Sequence, residues 1–322
     1  MLRKDKNEVK LNTQCVAKSK YALKGKDRKK IFWCYLILTP ALIGFLVFSL
    51  YPMLWAAQKA FYYYNGVPSE THFTGVENFI KIFTTDETYW LAWKNTFIFT
   101  IGKLPLELPL AMLIAVCLQR KLRGTGFFRT VYFMPCIIGA AIIGVMLTNM
   151  FDYFGFINAW LIKAGLIEEP IAWFSDSKMA MTALVIGSVW NTFGTNVLYF
   201  MAAMSNIDES LYESAVLDGA GAWTKFRKIT LPMMGPVLQV ILLLSINGTV
   251  HTRDYILTTT NGGPAGSTYT VMAYQVGKFV PGFAETGVNI GYGCAMSIVT
   301  SALMIIIALL YMKLSKKMQD VY

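Results

Sequence analysis

The chain is poor in charge, poor in histidine and without any organised cysteine pattern. Only 15% of its 322 residues are Asp, Glu, Lys or Arg, against about 25% in soluble globular domains, which argues against a fold surrounded by water. Two histidines, His72 and His251, with no nucleophile–base constellation beside them, leave little from which to build an enzyme. The five cysteines (Cys15, Cys34, Cys117, Cys136 and Cys294) form no C-x-x-C, so neither a disulfide framework nor a zinc site is indicated. Four of them fall in or beside apolar segments, where cysteine serves as a small filler. No G-x-x-x-x-G-K-[ST] run occurs, which excludes the usual backbone cradle for ATP phosphates. No cleavable signal peptide is evident either. The first apolar segment is too long for one and lacks a clear small-residue cleavage site, so it reads as a retained span.

What the chain has is apolar length. Hydrophobic residues make up 55% of it, and six windows are long enough to cross a hydrocarbon core, which takes roughly 20 helical residues. They run over approximately 31–57, 95–118, 130–150, 179–204, 233–257 and 290–312. The fifth carries Asn247, His251, Arg253 and Asp254 in its second half and reads as a span lining protein or water, since polar groups facing lipid are costly.

The net charge of +10 is sorted by loop. Residues 1–30, 119–129, 205–232 and 313–322 hold 21 Lys/Arg against 8 Asp/Glu, whereas the rest of the chain, Lys103 and Glu107 apart, holds 7 against 10. By the positive-inside rule, both termini and the 205–232 linker face the cytoplasm. Topology accounts for the excess, and no nucleic acid is needed. The basic tail, 1–30, suits orientation and attraction to anionic lipid heads, with a specific partner as the alternative. On the other side, "FTGVENFIKIF" places Val76, Phe79, Ile80 and Phe83 at helical spacing, predicting a short helix on the membrane surface. The linker 151–178 repeats the theme with "FGFINAWLIKAGLI", and Thr258–Thr270 is a turn-rich third loop. Three sizeable outer loops suit a protein that meets something outside.

Polar residues inside the spans form patterns. Lys103 and Glu107 stand at i, i+4 on one helical face. They read either as a self-paired structural element beside Pro105 and Pro109 or as the coupling site of an ion-driven carrier. Ser188, Asn191, Thr192 and Thr195 make one polar stripe on the fourth span, and Ser245, Gly248, Thr249 and Thr252 another on the fifth. Neutral hydroxyls and amides both donate and accept, and cost less to desolvate than charge, so they suit an uncharged, hydroxyl-rich solute. Interhelical packing is the alternative, because such residues are common glue in bilayers. Trp190 offers a face for stacking on a sugar ring or for packing.

The linker "SNIDESLYESAVLDGAGAWTKFRKITLP" reads as two short helices around a tight break. Asp208 is a good N-cap, Ser210 and Glu213 have capping-box spacing, and Asp218-Gly219 supplies a stop. Leu211, Ala215 and Val216 give one apolar face, and Ala222, Phe226 and Ile229 a second, with Leu231-Pro232 ending the pair. Such faces are covered either by the chain's own helix ends or by a partner protein.

The residues from Glu213 to Pro236 resemble the EAA loop of permease subunits in binding-protein-dependent ABC importers. The match comprises Glu213, Ala215, Asp218, Gly219, Ala220, Phe226, Ile229, Leu231, Pro232 and Pro236, with Ser214 in place of the middle alanine and Gly221 within the same turn. "LTTTNGGPAGSTYT", through Gly262-Gly263-Pro264, is similar to the stretch after the fifth core span of maltose-type carbohydrate permeases, and "FTGVENF" also fits. The resemblance covers about 31–316 and implies an all-α membrane protein with six transmembrane helices, the type I ABC importer permease fold, and a cytoplasmic coupling helix. Residues 1–30 and 317–322 are then cytoplasmic tails, and the chain lies in the inner membrane of a bacterial cell. The resemblance further implies a di- or oligosaccharide as solute and no cofactor on this chain. Two cytoplasmic ATPase subunits would bind ATP and magnesium, with a second homologous permease, an extracytoplasmic solute-binding protein and membrane lipids as the other partners. Ungapped alignment on the maltose permease's sugar-contacting positions falls on the two stripes found by periodicity.

Overall fold

The computed structural model describes residues 27–119, 124–279 and 288–319. Most of the basic tail, the core of the 119–129 linker and the last three residues lie outside that range. The chain divides into two compact units, residues 1–58 and 59–322.

In the first unit, helix α1 (Asp27–Phe45) passes through a wide π-turn at Leu46–Leu50 into α2 (Tyr51–Lys59). Together Lys30–Lys59 are long and apolar enough to cross a membrane. The wide turn sits directly before Tyr51-Pro52, and the Tyr51 N–H reaches back to the Leu46 carbonyl. Pro52 brings no N–H and crowds the preceding turn, so widening that turn lets the helix continue past it.

The second unit opens with a two-stranded hairpin that the sequence patterning did not predict. In it β1 (Tyr62–Tyr63) pairs antiparallel with β2 (His72–Phe73), Tyr62 opposite Phe73. Helix α3 (Glu77–Thr84) forms where expected. It packs inward through Asn78, which donates to the Ala60 and Tyr62 carbonyls, and through Ile82. The predicted stripe lies on the other side, with Val76, Ile80 and Phe83 exposed. Helix α4 (Glu87–Gln119) runs unbroken through Pro105 and Pro109. Asp86 bonds the Tyr89 N–H in its first turn and receives the Tyr274 and Tyr292 hydroxyls.

The 130–150 window, expected as one span, is two helices. α5 (Thr125–Ile137) and α6 (Ala140–Met150) meet at a bend of 95°, with Ile138 and Gly139 extended between them. In the next linker α7 (Phe156–Lys163) follows the predicted pattern. Buried Asn158 organises it, donating to the Asp152, Tyr153 and Ile171 carbonyls and accepting from the Ile171 N–H and the Trp173 indole. Helix α8 (Ser177–Ser205) fills the fourth window and is capped by the Asp176 carboxylate.

After α8 come α9 (Glu209–Leu217) and α10 (Ala222–Lys225), a second π-turn at Phe226–Thr230, and α11 (Leu231–Met233). This wide turn again directly precedes an X-Pro pair, Leu231-Pro232. Pro232 therefore does not end the helix as expected. The chain bends by 70° at Met234-Gly235, where Pro236 opens α12 (Gly235–Val250), a position that needs no N–H. The fifth window is broken a second time at residues 251–253, before α13 (Asp254–Thr259). α14 (Val271–Phe279) and α15 (Ile290–Gln319) complete the unit. Three helices among the described residues are uninterrupted and apolar enough to span, and the two bent pairs raise that to five. α8 is long enough but diluted by its polar stripe.

The turn-rich loop 258–270 is partly inside the protein. Gly262, Thr268, Tyr269 and Thr270 are buried, and Asn95 of α4 donates to the Gly266 carbonyl. Two apolar clusters among the described residues hold the bundle. One gathers Phe99, Ile143, Leu184 and Ile256, and the other Ala111, Phe193, Phe200, Met204 and Met234. α5 can lie against α8 because residue 194 is glycine. A Cβ there would stand 2.2 Å from the Tyr132 carbonyl oxygen, a backbone atom that cannot swing aside. Gly194→Ala is expected to cost about 1–3 kcal/mol and to lower the melting temperature in detergent. Gly126→Ala, whose Cβ would enter open space, serves as the control that does not lower it.

Candidate functional site

A cavity of about 490 Å³ forms where the two breaks in the bundle come together. Ala140, at the α5–α6 bend, lies on one side, and residues 251–255, from the break after α12 into the start of α13, on another. Ser188, Asn191 and Thr192 of α8 supply one wall and Met272 of α14 completes it. Irregular backbone at membrane depth is tolerated where it faces protein or a wet cavity, and the break at 251–253 lines the cavity here.

The predicted stripes divide between two layers. Ser188, Asn191, Thr192 and Thr252 line the cavity. Asn191 is fixed by donating to the Pro135 carbonyl at 2.8 Å, which also satisfies the backbone near the α5–α6 bend. Thr252 donates to the Gly248 carbonyl, and its own carbonyl accepts from Thr270. Thr195, Ser245, Gly248 and Thr249 do not line the cavity. Thr195 is half-buried on α8, and Gly248 is exposed with open space beside its α-carbon.

Ser245 and Thr249 join instead a buried network centred on Lys103 and Glu107. The two charges face each other at 3.6 Å with side chains 5% and 1% exposed. One Glu107 oxygen, Oε1, accepts from Thr192 at 2.7 Å and from Asn196 at 2.8 Å. Lys103 donates to Thr249 at 3.4 Å, and Ser245 donates to Asn196 Oδ1 at 3.2 Å. Glu107 Oε2 has no hydrogen-bond partner beyond facing the ammonium. The pair is thus not satisfied within α4 alone but tied to α8 and α12.

Sequence reasoning left Asn196 out of the stripes, and only its place one turn below Thr192 pointed to it. Of the polar residues that marked the fifth window as one lining protein or water, Asn247 does not line the cavity, whereas His251, Arg253 and Asp254 do. They gather at the rim because the helix stops at Val250, a stop that periodicity does not reveal. Arg253 Nε and Asp254 Oδ1 form an exposed ion pair at 3.2 Å. Trp190 does not line the cavity.

At the far end of α8, the EAA-like segment forms the anticipated helix pair. The Asp208 carboxylate accepts from the Ser210 N–H at 3.0 Å, and that bond holds its pKa below the usual aspartate value. Ser210 falls one residue inside the helix, so the Ser210–Glu213 capping box does not form, and the Ser210 carbonyl accepts from the Ser214 hydroxyl. The stop is the paired bond pattern of a Schellman motif: Ala220 N–H to Ala215 O at 2.8 Å and Gly219 N–H to Val216 O at 3.0 Å, with Gly219 at φ +75. Tyr212 and Thr230 share a hydrogen bond of 2.8 Å that ties α9 to the second π-turn. Leu217, Val216 and Trp223 are left exposed, Leu217 at 89%, while Glu213, Asp218 and Gly221 are exposed polar or turn positions and Phe226 and Pro232 are half-buried.

A polar chamber among apolar helices suits moving a solute, and the class it defines is a membrane permease. Comparison with known proteins makes that specific. Residues 107–320 match the family described as "Binding-protein-dependent transport system inner membrane component", and the chain belongs to that family. It is 34% identical over 256 residues to the lactose transport system permease protein LacF of Rhizobium radiobacter, covering 78% of this chain and 85% of the relative. It is 31% identical over 287 residues to the arabinooligosaccharides transport system permease protein AraP of Bacillus subtilis, covering 87% and 88%. Its fold is that of a chain in the crystal structure of a bacterial alginate ABC transporter in complex with an alginate pentasaccharide-bound periplasmic protein, with a TM-score of 0.75 at 23% identity over 92% of this chain and 98% of that one. The protein is therefore an inner membrane transport permease, not an enzyme.

Gly219 stands in the left-handed region with open space around its α-carbon, so only backbone conformation restricts it. Gly219→Ala is expected to cost about 1–2 kcal/mol, and a shift of the α9 amide-exchange protection measures it.

Proposed function

We propose that this chain is the permease subunit of an ATP-driven importer that moves a di- or oligosaccharide into the cytoplasm. The observation that carries the reading is the polar cavity at the two helix breaks. Its volume falls within the roughly 300–1,000 Å³ of small-molecule sites, and Ser188, Asn191, Thr192 and Thr252 present hydroxyl and amide groups to it. The one guanidinium at the rim is matched by Asp254, which favours an uncharged solute over a phosphorylated one. The sugars named for LacF and AraP support the same class.

In this reading the solute path is Ser188, Asn191, Thr192, Thr195, Ser245, Gly248, Thr249 and Thr252. The coupling element is Glu213, Ser214, Ala215, Asp218, Gly219, Ala220 and Gly221 with Phe226, Leu231 and Pro232. The uncovered Leu217 and Trp223 beside it are then the surface on which an ATPase subunit sits. Two such subunits hold ATP and magnesium, a second homologous permease completes the membrane pore, and a solute-binding protein delivers sugar from outside. Both termini lie in the cytoplasm. An ion-coupled carrier built on Lys103 and Glu107 is disfavoured, because those charges are bound into an interhelical network.

Mild-detergent purification should bring down ATPase chains, and ATP hydrolysis by that complex should rise with lactose or a related oligosaccharide presented on its binding protein. Purification of an active chain with no ATPase sinks the reading. Gly219→Pro, incompatible with φ +75, should abolish uptake while the protein remains in the membrane. Substitutions at Ser188 or Thr252 should change which sugar is taken up, measured by competition among labelled sugars.

A further inference from the structure

A second cavity, of about 670 Å³, lies at the other end of α4 from the coupling element. α4 begins there with Glu87 and Thr88 and ends at Gln119, which shares a pocket with Glu209, Tyr212 and Lys225 of the coupling segment. Its 33 residues span about 50 Å as a helix, so the cavity opens on the face opposite the coupling loop. At its centre is Asp86, whose carboxylate accepts the Tyr89 N–H and the hydroxyls of Tyr274 on α14 and Tyr292 on α15. One anion thus ties the first turn of α4 to both later helices. Each of the two fixed rings carries an ammonium. Lys81 Nζ lies 5.0 Å from the Tyr292 centroid and Lys278 Nζ 4.7 Å from that of Tyr274. Both lysines line the cavity, and neither is within ion-pair distance of Asp86, Glu87 or any other carboxylate among the described residues. Asn289 accepts the Tyr292 N–H through Oδ1, leaving its amide nitrogen as a third donor.

We infer that this notch receives an acidic side chain of the solute-binding protein, with Lys81 and Lys278 as the docking pair. The inference rests on the proposed transport role, which places this face outside the cell. Acidic residues outnumber basic ones in the outer loops, so a pair of ammoniums without carboxylate partners is a local exception there. Each is held over an aromatic face, which positions it before the partner arrives and lowers the ordering cost of an interface. Complementary charge also speeds encounter and fixes orientation. The solute itself fits this notch less well. A sugar would stack on a ring face, yet ammoniums cover one face of Tyr274 and of Tyr292, and His72 covers one face of Tyr63. A lipid tail also fits poorly, since Val288 is the one aliphatic side chain in the wall. Docking here reaches the solute cavity through α14. Met272 lines that cavity and Lys278 lines the notch, and six helical residues separate them by about 9 Å. A partner that grips Lys278 therefore holds a helix that shapes the solute cavity.

The test uses the complex with its co-assembling chains in phosphatidylcholine nanodiscs and the sugar-loaded solute-binding protein of the same importer, with surface plasmon resonance as the readout. Lys81→Glu with Lys278→Glu should weaken binding at least about ten-fold and flatten its dependence on salt. Glu87→Gln, which removes a like charge from beside the arriving carboxylate, should tighten binding about two-fold. If the double reversal fails to assemble, Lys278→Met carries the measurement, with binding about three-fold weaker expected. Carbodiimide coupling of the docked complex should join Lys81 or Lys278 to an Asp or Glu of the binding protein, identified by mass spectrometry. Lysine variants that bind as tightly as wild type, or cross-links confined to Glu87 of the same chain, overturn the notch while wild-type uptake upholds the transport reading. An effect seen only when phosphatidylglycerol is added to the nanodiscs also overturns it, in favour of a lipid headgroup. A wild-type complex that imports no sugar with ATP overturns the transport reading, and the docking pair with it.

Discussion

The bundle is organised around one demand, that a lysine and a glutamate buried at membrane depth find partners. An ionised group without water is tolerable only when paired and hydrogen-bonded, and α4 alone offers each charge only the other. The remaining bonds come from Thr192 and Asn196 on α8 and Thr249 on α12. Satisfying the pair therefore fixes how α4, α8 and α12 face one another. Removing one member of such a pair typically costs about 3–5 kcal/mol, as much as truncating a buried phenylalanine of the two clusters. Apolar packing gives the bundle its mass, and the ion pair gives it its register.

Around that centre, the bundle is shaped by where helices are allowed to stop. Two breaks, at 138–139 and 251–253, open the cavity. Each leaves backbone groups that a straight span would have satisfied, and nearby side chains take them up. Asn191 reaches the Pro135 carbonyl and Thr270 the Thr252 carbonyl. The residues proposed to meet solute are therefore, in part, residues that make the breaks affordable.

Much of this was legible in the sequence, and the failures share a cause. Periodicity located α3, α7 and the pair α9–α10, because short amphipathic helices and their caps are local features. It also found both stripes and the 103/107 pair. It missed the hairpin at 62–73, which is held by tertiary contacts such as Asn78 to Ala60 and Tyr62. It read the windows 130–150 and 233–257 as continuous, since hydropathy reports burial and not straightness. It grouped Ser245 and Thr249 with Thr252 on one stripe, since spacing shows which face a residue is on, not which neighbour on that face claims it. Asn196, one turn below Thr192, is the member whose role only the packing reveals.

The two π-turns carry a geometric consequence of their own. Each inserts one residue more than an α-helical turn would hold, directly ahead of an X-Pro pair, and the second lies between α10 and α11. One residue is about 100° of rotation about a helix axis. The azimuth of everything before Phe226 relative to everything after Thr230 is thus set by a count of five residues. Losing a single codon there would leave composition, hydropathy and caps intact while swinging the exposed side of α9 and α10 to a different azimuth about the bundle.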